Sequence, residues 1–140
     1  MKRTTVASLW SGTAGILIIL LGIIHSLGVK EPYRYGFDKL PSLMWRAFEY
    51  MYLGVGVVWI FVGLLLVVCG RGLRRGTAWA WPLGMASAVL MLLFGVGAMV
   101  LMPDNPPAPF ILGCALLTAV PFLLHRPSSH ARSEGAGASR

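Results

Sequence analysis

The chain has 140 residues, 56% of them hydrophobic and 12% charged, with a formal net charge of +7. Soluble domains carry roughly 25% charged residues, and a fold of this size has too little interior to hide so much apolar surface from water. The positive balance does not indicate nucleic acid, because Lys and Arg flank the apolar runs instead of forming one patch interleaved with aromatics.

Four stretches are free of charge: Thr4 to Val29, Tyr50 to Gly70, Gly76 to Pro103 and Asn105 to Leu124. Each approaches the roughly 20 residues that a helix needs to cross about 30 Å of hydrocarbon. Lipid offers no partner for backbone N–H and C=O groups, and the alternation of a barrel strand is absent from the sequence, so helices are the expected element. The expected fold is an all-α membrane protein, a four-transmembrane-helix bundle with spans at about 8–28, 43–69, 77–102 and 108–125. Both termini are placed in the cytoplasm by the positive-inside rule. That rule gathers Lys2, Arg3, Arg71, Arg74, Arg75, Arg126, Arg132 and Arg140 on one side. On the other, Lys30, Arg34, Lys39 and Arg46 are offset by Glu31, Asp38, Glu49 and Asp104. The expected location is a bacterial inner membrane. Met1-Lys2-Arg3 before an apolar run also suits a signal peptide, but the run is long and no A-x-A-like cleavage site follows it.

The first helix carries Gly12, Gly15 and Gly22. Ser8/Gly12 and Gly22/Ser26 have the four-residue spacing of small residues that lets helix backbones approach closely. The loop that follows, Val29 to Leu43, is punctuated by Pro32, Gly36 and Pro41. Its Tyr33, Tyr35 and Phe37 suit the headgroup level, either as a short interfacial helix or cap or as a free loop.

Ser42 is the expected N-cap of the second helix. The first turns of that helix, Met44-Trp45-Arg46-Ala47-Phe48-Glu49-Tyr50-Met51-Tyr52, combine two charges with four aromatics. A tight turn, Gly70 to Gly76, leads to a third helix capped by Thr77, with Trp79 and Trp81 as an interfacial belt. The fourth helix has Pro121 near its end, where a bend or loosened turn is expected. From 126 to 140 the composition is that of a disordered cytoplasmic tail.

The unusual residues concentrate at the outer ends of the first two helices. His25 precedes the exit and Glu49 follows the return, which places them at similar depth in antiparallel neighbours. Ionisable side chains within a span are expensive and tend to be paired and functional. One reading makes His25 and Glu49 a catalytic, proton-handling pair, with Arg46, Trp45 and Tyr52 completing a ligand site. The other is an Arg46/Glu49/His25 network that only locks the two helices together. Met44, Met51, Met99 and Met102 also fall at outer helix ends, and with His25 they offer soft ligands of the kind Cu(I) favours. Methionine is equally a filler of apolar packing, and no metal or cofactor is expected. Cys69 and Cys114 fall in opposite halves of their spans, too far apart for a disulfide. No catalytic triad, C-x-x-C, H-E-x-x-H, phosphate-binding loop or dinucleotide fingerprint occurs.

A first helix ending G-I-I-H at His25, a polar loop, and a second helix opening M-W-R-A at Met44 to Ala47 resemble small bacterial four-helix membrane proteins of the DoxX-like group. The resemblance covers the first half of the chain and implies a four-helix fold. For some members it implies links to quinone or thiol redox systems. The leading functional expectation is a subunit, partner-binding module or apolar-ligand binder without catalytic activity of its own. Its partners would be the bilayer, other membrane subunits or further copies of the chain. The alternative is a membrane enzyme or redox component using His25 and Glu49 on a lipid-soluble substrate such as a quinone.

Overall fold

The computed structural model describes residues 3–36, 39–102, 104 and 107–124. The described residues are helical throughout, without strands. α1 spans Arg3–Leu27, and a 3-10 helix, Gly28–Tyr35, follows it; α2 spans Ser42–Arg75, α3 Ala80–Leu101 and α4 Pro107–Leu124. The segment expected to form the cytoplasmic tail, 126–140, lies outside the described residues.

α1, α2 and α3 are long and apolar enough to cross a membrane, while the apolar helix Ala108–Leu124 is shorter. The helices turn much of their hydrophobic surface outward: Leu17, Ile24, Phe61, Leu64, Leu93 and Leu116 are all exposed. An outer layer of Ile, Leu, Val and Phe is stable when its solvent is hydrocarbon, and the interior is correspondingly built of small residues. Ala80, Ala88, Ala108 and Ala115 are buried around a few large side chains, among them Ile18, Leu66, Met91 and Phe122.

The closest packing is between α1 and α2. A Cβ added at Gly15 would lie 2.6 Å from the carbonyl oxygen of Gly63, and one at Gly22 would lie 2.7 Å from that of Gly56. A Cβ at Gly70 would lie 2.8 Å from the carbonyl oxygen of Ser8. The contacts therefore recur every seven residues, two helical turns, on both helices. Lipid supplies no hydrophobic drive for helix association, so backbone proximity and dispersion must hold the pair, and only glycine permits that approach. Ser11 adds a buried hydrogen bond across the interface, donating to the carbonyl of Leu66 at 2.8 Å. The pairs Ser8/Gly12 and Gly22/Ser26 both lie in this interface: Gly22 and Ser26 close on Gly56, and the backbones of Ser8 and Gly12 close on Gly70, although the Cβ position of Gly12 itself is open. The seven-residue repeat organises the interface.

α3 and α4 form a second hairpin on a different principle. A Cβ at Gly84 would collide with the ring of Phe122, which occupies the space that glycine leaves open. Further along, a Cβ at Gly95 would lie 2.9 Å from the backbone of Leu112. α4 continues past Pro121 to Leu124. The indole N–H of Trp81 donates to the carbonyl of Phe122 at 2.8 Å, satisfying one of the last carbonyls that a helix end leaves free. Trp81 is thus tied to α4 and half-buried, whereas Trp79 is exposed.

Two expected caps take other forms. Pro41 holds the N-cap position of α2, with backbone φ −50° and ψ 140° and no side-chain cap. Its carbonyl accepts from the N–H groups of Met44 and Trp45, and Ser42 is the first helical residue. Thr77 does not cap α3, whose N-cap is Trp79. Instead Thr77 N–H donates to Gly72 and Gly76 N–H to Leu73, with Gly76 left-handed at φ 71°. This double closure of a helix C-terminus is the Schellman motif. The Thr77 hydroxyl is drawn into the turn and buried, where it has no partner.

Candidate functional site

The register of the first hairpin fixes the depth of every residue at its outer end. Since Gly22 faces Gly56 and Gly15 faces Gly63, His25 stands level with Leu53. Glu49 lies four residues further along α2, one turn or about 6 Å above. The two side chains are not at one depth, and each has its own partner.

His25, on the last turn of α1, lies flat against Tyr52, with ring centroids 3.9 Å apart and planes inclined by 13°. Trp59, two turns further down α2, approaches it at 5.2 Å and 37°. Phe48 extends the aromatic set by packing on Tyr52 at 5.7 Å. Small residues make room for it: a Cβ at Gly28 would come within 3.2 Å of the Tyr52 hydroxyl. Ser26 turns its hydroxyl back onto the carbonyl of Gly22 at 2.9 Å.

Two buried nitrogens in this cluster, His25 Nε2 and Trp59 Nε1, have no hydrogen-bond partner within the protein. Trp59 is only 4% exposed. Most buried polar atoms are satisfied, and an orphan costs roughly 1–3 kcal/mol. Two on adjacent rings give the helical interior a polar point without a protein partner among the described residues.

Above it sits the cap. The 3-10 helix Gly28–Tyr35 carries the chain off α1 and ends at Gly36, left-handed at φ 84°. The loop between the first two spans is therefore an ordered cap through Gly36. Phe37 and Asp38 lie outside the described residues. Tyr33 donates its hydroxyl hydrogen bond to Glu49 Oε1 and packs edge-on to Trp45 at 5.8 Å. The carboxylate of Glu49 is thus held by the cap and is joined neither to His25 nor to Arg46.

Among the described residues the ion pair is Arg34–Glu31 at 3.0 Å, within the 3-10 helix and exposed. Arg46 is exposed on the outer face of α2. The structure therefore brings His25 and Tyr52 together, and Glu49 with Tyr33 and Trp45, as two layers of one site. Tyr33 and Trp59 were the residues without a distinguishing signal. Tyr33 is one of three aromatics in the loop, and Trp59 sits in a long apolar run that also holds Phe61.

Met44, Met51 and Met102 are exposed and Met99 is half-buried. Among the described residues no three His, Cys, Asp or Glu side chains are grouped to hold a metal ion. Cys69 and Cys114 are free thiols, the first fully buried.

Past the end of α1, α2 continues beside the cap. α1 ends at Leu27, level with Met51, so the segment Ser42–Tyr50 stands beyond it by nine residues, about 13 Å. Trp45, Phe48 and Glu49 on one face of this segment are partly covered by the cap. On the other, Leu43 is 80% and Tyr50 81% exposed, with Met44, Arg46 and Ala47 beside them. Searches against protein families, curated proteins and solved structures return no match.

Proposed function

We propose that this chain is a multi-pass protein of a bacterial inner membrane, crossing it four times with both ends in the cytoplasm. It works as a non-catalytic subunit or partner-binding module through its outer end. The observation that carries this reading is the projecting segment Ser42–Tyr50, which has one face under the cap and the other, Leu43, Met44, Ala47 and Tyr50, uncovered. α2 has 34 residues and is about 51 Å long, against about 30 Å of hydrocarbon. Its outermost turns therefore pass the level where lipid would cover them. Apolar side chains held rigidly at that height suit a protein partner. The excess of arginine at the opposite end, Arg71, Arg74 and Arg75, supports the orientation. The DoxX-like resemblance of the first half of the chain fits the four-helix organisation.

The test is purification in mild detergent with a photo-crosslinker at position 43 or 50. A stoichiometric membrane partner should be captured, and Tyr50→Ser should release it without lowering thermal stability. Capture of nothing at either position would sink the proposal.

One observation favours a second reading, a membrane enzyme or redox component acting on a quinone-like substrate. His25 Nε2 and Trp59 Nε1 are both buried without partners on rings 5.2 Å apart, and hydrogen bonds to a carbonyl-bearing lipid-soluble molecule would satisfy them. Under this reading His25 acts without Glu49, which the cap holds through Tyr33. His25→Ala would then abolish quinone binding, whereas under the leading reading it lowers stability alone.

A further inference from the structure

At the opposite end of the bundle from the aromatic cluster, α1 packs against α4 but not over its whole width. They leave a side-opening groove of about 280 Å³ lined by Val6, Leu9, Trp10, Thr13, Leu17 and Leu117, with Ala14 at its floor. Thr13 is the one polar residue of the lining.

The groove extends from Val6 to Leu17 along α1, about 17 Å at 1.5 Å per residue. Half of the roughly 30 Å hydrocarbon layer is about 15 Å. The groove therefore has the length of a single leaflet and lies in the half of α1 that faces Gly63 and Gly70 of α2. An apolar slot open to the side at that depth is a slot for an acyl chain.

Charge selects which lipid. α1 opens at Arg3, seven residues ahead of Trp10 and fourteen ahead of Leu17. Arg71, Arg74 and Arg75 are exposed at this end of the bundle, and among the described residues the ion pair is at the other end, at Arg34–Glu31. Basic residues at the membrane surface attract anionic headgroups.

We infer that the α1/α4 groove is a binding site for an anionic phospholipid, one acyl chain lying along Val6 to Leu17 and the phosphate meeting the basic end that Arg3 opens. The site is independent of the outer surface assigned to a partner and would persist if that assignment failed.

The test uses the full chain in vesicles of phosphatidylcholine with a fixed fraction of phosphatidylglycerol, one or the other carrying brominated acyl chains. Brominated phosphatidylglycerol should quench tryptophan fluorescence several-fold more than brominated phosphatidylcholine at the same mole fraction. Trp10→Phe should remove that difference, because Trp10 lines the groove. Thr13→Phe, a substitution at an exposed position that fills the groove, should lower the phosphatidylglycerol retained through detergent purification at least five-fold. Arg3→Gln combined with Arg71→Gln, Arg74→Gln and Arg75→Gln should remove the preference for the anionic lipid while leaving quenching by the neutral one. Equal quenching by both lipids in the wild type would overturn the proposal, as would a difference that survives Trp10→Phe. Self-association that is lost in Thr13→Phe while lipid retention is unchanged would assign the groove to a second copy of the chain instead.

Discussion

The imidazole of His25 lies parallel to the phenol ring of Tyr52 at 3.9 Å between centroids, joining the last turn of α1 to the point where α2 emerges from beneath the cap. Offset or parallel aromatic pairs contribute roughly 0.5–1.5 kcal/mol beyond the area they bury. A double-mutant cycle with His25→Leu and Tyr52→Leu should return a coupling of that size, read from reversible denaturation in mixed micelles. Additive single effects would mean that the two rings are neighbours without mutual stabilisation.

Gly63→Ala should be among the most damaging small substitutions in the chain. Its new methyl would lie 2.6 Å from the carbonyl oxygen of Gly15, and because that neighbour is backbone, one helix must move. Overpacking of this kind costs about 1–3 kcal/mol. Gly54→Ala, with nothing within 4 Å, should be neutral or gain up to about 1 kcal/mol from helix propensity. The comparison separates close packing from the intrinsic effect of alanine, since both positions lie in the same helix.

Gly84 and Phe122 should behave as a compensating pair. Gly84→Ala drives a methyl into the Phe122 ring, and Phe122 is fully buried, so the single variant should be destabilised by about 1–3 kcal/mol. Phe122→Leu alone leaves a cavity and should also lose stability. Combined, the two should cost less than the sum of their separate effects, by at least about 0.5 kcal/mol.

Tyr33→Phe should loosen the cap while sparing the bundle. The substitution removes the hydroxyl that donates to Glu49 and leaves the ring that packs on Trp45. The expected cost is about 1 kcal/mol, concentrated in residues 28–36. Faster hydrogen exchange or proteolysis there, with an unchanged rate in α3 and α4, would fit; a uniform rise across the chain would not.

The helical class and the apolar stretches were legible because they depend on the absence of charge over about 20 residues, a property of composition. The 3-10 cap followed less directly, since Pro32 and Gly36 signal a turn without specifying which. The site was read by residue type and only partly by geometry. His25, Glu49 and Tyr52 stood out as polar or aromatic residues beside apolar runs, but similar distance from a helix end does not give equal depth. The register of α1 against α2 decides that, and it is set by glycines seven residues apart, Gly15 and Gly22 on one helix and Gly56, Gly63 and Gly70 on the other. That repeat is present in the sequence, yet it is masked by other glycines, such as Gly54 and Gly97, whose Cβ positions are open. Trp59 and Tyr33 carried no signal because their roles come from long-range packing.

The tight turn at Gly76 separates two helical hairpins whose closest contacts are internal, backbone on backbone in the first and ring into glycine in the second. A nascent chain delivers its helices to the bilayer in order, so each hairpin completes its own best interface before the next begins to emerge. The first half therefore does not have to wait in lipid for a distant partner. A gene severed at this turn should yield two fragments, each folding as a matched pair of helices and re-associating with the other.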